Sequence, residues 1–214
     1  MALMVIMEGD RRNLSKTPAR KRSSAGRPEV TSHAAIERAA FRLFAERGFD
    51  GTTLQAIAEA VGVGRRTLFR YYESKNDIPW GQFDQTLQRF RALLEEAPPQ
   101  LPLAEAVHRA VIEFNRFDAD AQPSHWDRMA LILGTPALQA HSVLRYTQWR
   151  TVIAEFVSTR RGMQPDDLLP QVAGQVSLAL ALSAYNHWLS EPGRDLLQLL
   201  DEAMGELRRY LAGD

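Results

Sequence analysis

The 214-residue chain contains no cysteine. That absence excludes disulfides, a thiolate nucleophile and any Cys-ligated metal or iron–sulfur site, and it makes the cytoplasm the expected compartment. Strand patterning is scarce as well: beyond Ile78 no stretch alternates apolar and polar residues with period two. The five histidines (His33, His108, His125, His141, His187) show no H-E-x-x-H or comparable ligand spacing. Neither a G-x-S-x-G elbow nor a phosphate-loop glycine run is present. No catalytic residue, no metal and no cofactor is therefore expected. The opening MALMVIMEGD lacks a basic n-region and a small-residue cleavage site, so a secretory leader is not expected. The one long apolar run, VAGQVSLALALSAYNHWL, is broken by Gln175, Asn186 and His187 and lies among amphipathic neighbours. It reads as a buried helix and not as a membrane span.

What is present is an ordinary globular composition, 45% hydrophobic, whose formal net charge of zero hides a division. Residues 1–80 carry 14 Lys and Arg against 9 Asp and Glu; residues 81–214 carry 12 against 17. A basic front and an acidic back suit a front half that meets a polyanion. From Asp10 to Pro28 the chain is crowded with Arg, Lys, Ser and Pro and has almost nothing to bury. Residues 1–27 are accordingly expected to form a disordered basic arm, serving either as a solubilising tail or as a contact to phosphate or the minor groove.

The segment TSHAAIERAAFRLFAERGF places Ala35, Ile36, Ala39, Ala40, Leu43 and Phe44 on one face of a helix. Thr31 or Ser32 is placed to cap it and Gly48 to end it. In TTLQAIAEAVGV, Thr52 stands three residues before Gln55 in a capping-box arrangement. Gly62 stops this short helix, and GRRTLFRYYES restarts one after a tight turn. Two short helices joined by a glycine-bearing turn, the second rich in arginine, follow the helix-turn-helix plan; spacing alone also fits a structural αα-hairpin.

At this point the chain resembles a known family. The run RAAFRLFAERGFDGTTLQAIAEAVGVGRRTLFRYYESKNDI is similar to the DNA-binding domain of the tetracycline-repressor (TetR) family. Gly48, Phe49, Thr53, Ile57, Ala58, Gly62, Val63, Thr67, Leu68, Phe69, Tyr72, Ser74 and Lys75 fall in order and spacing. The continuation SKNDIPWGQFD resembles, more particularly, regulators encoded beside mycofactocin biosynthesis genes. The resemblance implies an all-α protein of about nine helices. Residues 28–75 would be the helix-turn-helix DNA-binding domain, and 76–214 a helical effector-binding and dimerisation domain. The partners implied are double-stranded operator DNA, a second copy of the chain and a small apolar or acyl-type effector, with no membrane.

On that plan the recognition helix enters the major groove, and Arg65 and Arg66 in its first turn can fork onto guanine O6 and N7. Gly64 lets the backbone approach DNA, though it lacks the hydroxyl of the serine more usual in the family. Thr67, Tyr71 and Lys75 match positions that usually touch phosphate. Phe69 stands where tyrosine is common and loses a phosphate bond. Thr53 and Gln55 lie at a helix start that favours phosphate, and Gln55 is also a candidate base reader. Arg27 is the arm's candidate phosphate or minor-groove contact. Leu68 and Tyr72 are expected in the core, and Arg70 is left unassigned.

Every later segment reads as helix. SKNDIPWGQFDQTLQRFRALLEEA is expected as one helix capped at Ser74 to Asp77, with Trp80, Phe83, Leu87, Phe90 and Leu94 on one stripe. Aromatic residues recur through the back half, and each is as readily plain core. Taken together they fit an apolar chamber, for which Trp80, Phe83, Leu87, Phe114, Trp126, Met129, Arg145, Trp149, Asn186 and His187 are the candidate ligand-binding residues. Asn115 is a further candidate polar tip, and Arg128 is an alternative to Arg145 for meeting an anionic headgroup. A long-chain acyl-CoA is the favoured effector class, from the apolar chemistry of these residues and from what the family resemblance implies. The small stripe Ala173, Ser177, Ala181 and Ala184, with Leu196, Leu200, Ala203 and Leu207, is expected to form the family's four-helix dimer interface. The function expected is that of a ligand-released repressor on a palindromic operator. A DNA-binding architectural protein without sequence preference and a constitutive regulator without effector stand as alternatives.

Overall fold

The computed structural model describes residues 31–213; the basic arm and Arg27 lie outside the described residues. Among the described residues there are nine α-helices and no strand. They are α1 (His33–Gly51), α2 (Leu54–Ala60), α3 (Arg65–Leu68), α4 (Phe83–Glu95), α5 (Leu103–Phe114), α6 (His125–Gly134), α7 (Pro136–Arg161), α8 (Leu168–Ser190) and α9 (Leu196–Ala212). A 3-10 connector, Lys75–Trp80, joins the first three helices to the rest. This is the all-α architecture expected.

Capping settles the first turns. Ser32 Oγ accepts from the Ala35 N–H at 3.2 Å and starts α1, which breaks at Gly48. The N-cap of α2 is Thr53 and not Thr52: Thr53 Oγ1 accepts from the Ala56 N–H at 3.1 Å. The neighbouring Thr52 is buried, and its hydroxyl donates toward the carbonyls of Gly48 (2.8 Å) and Leu43 (3.1 Å). Of two adjacent threonines, one caps the next helix and the other satisfies carbonyls left open at the end of the last. Between α2 and α3 the chain turns at Gly62, whose φ of 72° lies where a Cβ is strained.

The α1–α3 core is Ile36, Ala40, Leu43, Phe44, Phe49, Ile57, Ala58, Leu68 and Tyr72, so Leu68 and Tyr72 take the expected inward positions. Ile78 of the connector and Leu138 of α7 complete the same cluster. A second core surrounds Phe90, Phe114 and Trp149, with the Phe90 and Trp149 rings stacked at 5.1 Å. Here α8 packs between α7 and α9. Gly174 permits the close crossing of α8 and α7, since a Cβ there would lie 3.0 Å from the Arg150 carbonyl oxygen.

One expected helix is two elements. The segment from Ser74 forms the 3-10 connector, turns at Gly81 (φ 59°, ψ −140°) and becomes α-helical only at Phe83. Pro79 lacks the N–H that an α-helix would need and disfavours helical geometry in the residue before it, while Gly81 takes a conformation closed to residues with a Cβ. Phe83, Leu87, Phe90 and Leu94 form the buried stripe of α4, and Trp80 is not part of it.

Candidate DNA-reading surface and effector chamber

The outer face of α2 and α3 carries most of the candidate reading residues. Thr53, Gln55, Gly64, Arg65, Arg66 and Phe69 are exposed, and Thr67 is half-buried. The Arg65 guanidinium lies over the Phe69 ring at 5.3 Å, so the phenylalanine that replaces tyrosine is a platform for the arginine. Gln55 Nε2 donates to Glu59 Oε1 at 2.7 Å along α2.

Two expected phosphate anchors are engaged elsewhere. Lys75 Nζ donates to the carbonyls of Phe49 (2.7 Å) and Thr52 (2.9 Å) and sits 4.2 Å from the Phe49 ring centroid. Its charge closes the corner between α1 and α2. The Tyr71 hydroxyl donates to the Thr31 carbonyl at 2.8 Å. With that proton committed, the phenol offers only lone pairs, which a phosphate oxygen does not seek. Neither engagement is foretold by the sequence, because spacing reports residue type and not which acceptor is nearest.

Behind the connector lies a cavity of 380 Å³ walled by the connector, α4, α5, α6, α7 and α8. Trp80, Phe83, Phe114, Met129, Arg145 and Trp149 line it, as expected of candidate ligand residues. Four others do not. Leu87 belongs to the second core, Trp126 packs edge-on to Trp188 at 4.8 Å, and Asn186 and His187 are exposed on the outer face of α8. Helical phase explains the last two: Ala181 and Tyr185 face the cavity, which turns the residues just after Tyr185 away from it.

Three polar residues of the cavity lining form a relay. Asn115 Nδ2 donates to the Val111 carbonyl (2.7 Å), fixing Oδ1 as acceptor for the Tyr185 hydroxyl (2.5 Å). Tyr185 therefore accepts from His125 Nε2 at 2.8 Å. Burial, followed by the nearby Arg128 charge, pushes the His125 pKa down to about 3, so this imidazole is neutral across the physiological range. Asn115 was legible as a polar tip. Tyr185 is legible only as one of the aromatics that recur through the back half, and His125 is not legible at all, because a lone histidine carries no motif.

The charged groups around the cavity are paired. Arg128 Nη2 donates to Glu37 Oε2 and Nη1 to the Pro79 carbonyl, each at 2.5 Å. Glu37 also accepts from the Tyr72 hydroxyl at 2.6 Å, and burial together with this bond raises the Tyr72 pKa well above the usual phenol range. Asp77 accepts from Arg145 Nη2 (2.8 Å), is 2.9 Å from His141 Nε2, and accepts from Ser74 Oγ (2.7 Å). Burial pushes the Asp77 carboxyl up, but the Ser74, Arg145 and His141 bonds outweigh it and hold the pKa below the ordinary value. The Trp80 indole N–H is buried with no acceptor among the described residues.

Half of the stripe expected at a dimer interface turns inward. Ala181, Ala184, Leu196 and Leu200 are all buried within a single chain, Ala173 packs against the second core, and Ser177, Ala203 and Leu207 are half-buried. The small residues serve α8 packing inside the chain, and Ala181 also walls the cavity. Large apolar side chains that face outward stand at the start of α8 (Leu168, Leu169, Val172), at the end of α9 (Tyr210, Leu211) and on α7 (Val143, Leu144), besides Phe69 and Phe117.

Residues 36–78 match the family described as bacterial regulatory proteins, tetR family, and residues 101–212 match the MftR C-terminal domain. The chain is 44% identical over 183 residues to MftR of Mycobacterium tuberculosis, a protein named as a candidate mycofactocin biosynthesis transcriptional regulator, covering 86% of this chain and 90% of that one. It is 29% identical over 188 residues to the HTH-type transcriptional regulator TcmR of Streptomyces glaucescens, covering 83% of each. Among solved structures, Thermus thermophilus FadR, a TetR-family transcriptional repressor in complex with lauroyl-CoA, superposes with a TM-score of 0.54 at 26% identity, over 84% of this chain and 93% of that one. These relatives are transcriptional regulators and not enzymes. With its reading helices, its connector and its C-terminal helical layer each matched, the chain belongs to the TetR family of bacterial transcriptional regulators and carries an MftR-type C-terminal domain.

Proposed function

We propose that the protein is a cytoplasmic repressor of mycofactocin biosynthesis genes, binding a pseudo-palindromic operator as a homodimer and released by an apolar effector such as a long-chain acyl-CoA. The observation that carries this reading is one juxtaposition: an aromatic-walled cavity shares its wall with the connector that leads directly from the arginine-bearing helix α3. Arg65 and Arg66 read guanines, and Thr53, Thr67 and the basic arm with Arg27 hold phosphate. The DNA-reading domain spans residues 28–75 with Ile78 closing its core, and the remainder senses effector and dimerises. Support for the effector class comes from the largely apolar lining that includes two arginines, from the unpartnered Trp80 N–H and from the lauroyl-CoA held by the FadR neighbour. The homodimer forms through the outward apolar residues at the start of α8 and the end of α9.

Selection of operator from random DNA, followed by release with an acyl-CoA series, tests the reading. A two-fold-symmetric site, loss of binding strongly dependent on salt and release that grows with chain length are expected. Equal affinity for specific and random competitor DNA would leave an architectural protein instead, and indifference to every acyl chain would leave a constitutive repressor.

A further inference from the structure

We propose that the chamber contains an anion subsite on Arg128 whose resting occupant is the protein's own Glu37, and that an anionic effector works by taking Glu37's place. The inference rests on the chamber reading above and names the ligand chemistry and the release step. Both arginines that line the cavity, Arg128 and Arg145, are held by carboxylates from the DNA-reading side, Glu37 of α1 and Asp77 of the connector. Only Glu37 among those carboxylates itself lines the cavity, so only there do a ligand and the internal anion meet the same cation from the same space. The pair is nearly enclosed, with 19% of the Arg128 side chain and 11% of Glu37 exposed. In such surroundings one guanidinium face cannot be shared without loss, because a displaced carboxylate must find new donors.

Gly81 leaves room for the exchange. A Cβ there would lie 3.2 Å from Arg128 Nη1 and 3.4 Å from both Glu37 carboxylate oxygens, so the missing side chain is what keeps space open beside the pair. Arg128 ties α1 through Glu37 and the connector through the Pro79 carbonyl, and Glu37 in turn holds Tyr72, which follows the recognition helix. A carboxylate or phosphate entering at Arg128 therefore loosens three attachments of the reading helices at once. A neutral ligand of equal length fills the chamber and leaves them in place.

Laurate and dodecanol, with the same chain and different heads, separate these cases in calorimetric titrations of the full-length protein. In Glu37→Gln, laurate is expected to bind at least about tenfold tighter than to wild type while dodecanol is unchanged, because the internal competitor is gone. The double variant Glu37→Gln/Arg128→Gln, which leaves no buried charge unpaired, returns laurate to the dodecanol level. Tyr72→Phe, which removes one bond holding Glu37, shifts laurate in the same direction and serves if Glu37→Gln does not fold. Amide exchange across residues 71–81 of the wild type quickens with laurate and not with dodecanol; unchanged exchange with laurate bound overturns the displacement. A laurate-to-dodecanol affinity ratio identical in wild type and variants overturns the subsite and leaves the chamber reading intact, since dodecanol still reports an occupied cavity. If neither compound binds any form, both readings fall.

Discussion

Lys75 and Arg66 are both cations near the recognition helix, yet they have different work. Lys75 is bonded to two backbone carbonyls, so Lys75→Ala should cost about 1–3 kcal/mol of stability in denaturant titrations. The salt dependence of DNA binding should stay as in wild type, because no phosphate contact is lost. Arg66 is exposed, and Arg66→Ala should leave stability within about 0.5 kcal/mol while relaxing preference at one base pair by about 1–3 kcal/mol. A drop of one in the salt slope for Lys75→Ala would return that residue to the phosphate backbone. Acid sensitivity is also a residue-scale property. His125 has its folded pKa depressed to about 3, so between there and its ordinary value of 6.5 only the unfolded chain takes the proton. Stability should fall as pH drops below about 6.5, and His125→Asn should flatten that slope. The Asp77 latch has the opposite ionisation but the same direction. Its depressed pKa means that its contribution is present above the ordinary value of 3.8 and is lost as pH falls through the lower folded value.

At the scale of elements, the break at Gly81 sets the mechanics. A helix running unbroken from Ser74 would act as one rod from the recognition helix to the cavity; the structure has a 3-10 connector, a turn and then α4. Gly81→Ala places a Cβ in a backbone region that strains it and against the Arg128–Glu37 pair, and should cost about 1–3 kcal/mol in thermal or denaturant unfolding. Gly174→Ala tests which way α8 faces. Alanine gains about 1 kcal/mol of helix propensity, but its Cβ would lie 3.0 Å from the Arg150 carbonyl, so net destabilisation is expected from overpacking against α7. Tolerance there would mean that the small-residue face of α8 looks outward after all. Sequence periodicity located each of these helices because apolar spacing and Pro or Gly breaks are local. It did not resolve the split at Gly81, since the cap at Ser74 and the apolar spacing from Trp80 to Leu94 read as one helix, and the positive-φ turn at Gly81 leaves no mark on that periodicity.

For the whole molecule, the polarised charge, the exposed α3 arginines and the outward apolar ends of α8 and α9 bear on assembly. Leu168 and Tyr210, each 79% exposed, are costly to leave in water, and in the proposed homodimer they would be covered by a second copy. The double variant Leu168→Glu/Tyr210→Glu should shift the protein from dimer to monomer in sedimentation at micromolar concentration and reduce operator affinity, with helical circular dichroism retained. A variant that stayed dimeric would place the interface on another face. The chain by itself determined the helices, the reading motif, the aromatic wealth of the back half and the family, because those rest on periodicity, caps and residue type within a few turns. Only tertiary structure decided that Lys75 and Tyr71 are spent on backbone carbonyls, that Ala181 walls a cavity, and that Glu37 reaches across to Arg128, 91 residues later. A buried ion pair between distant helices leaves no local pattern: Glu37 alone reads as an ordinary surface charge, and Arg128 only as a candidate headgroup contact, until the fold brings the two together.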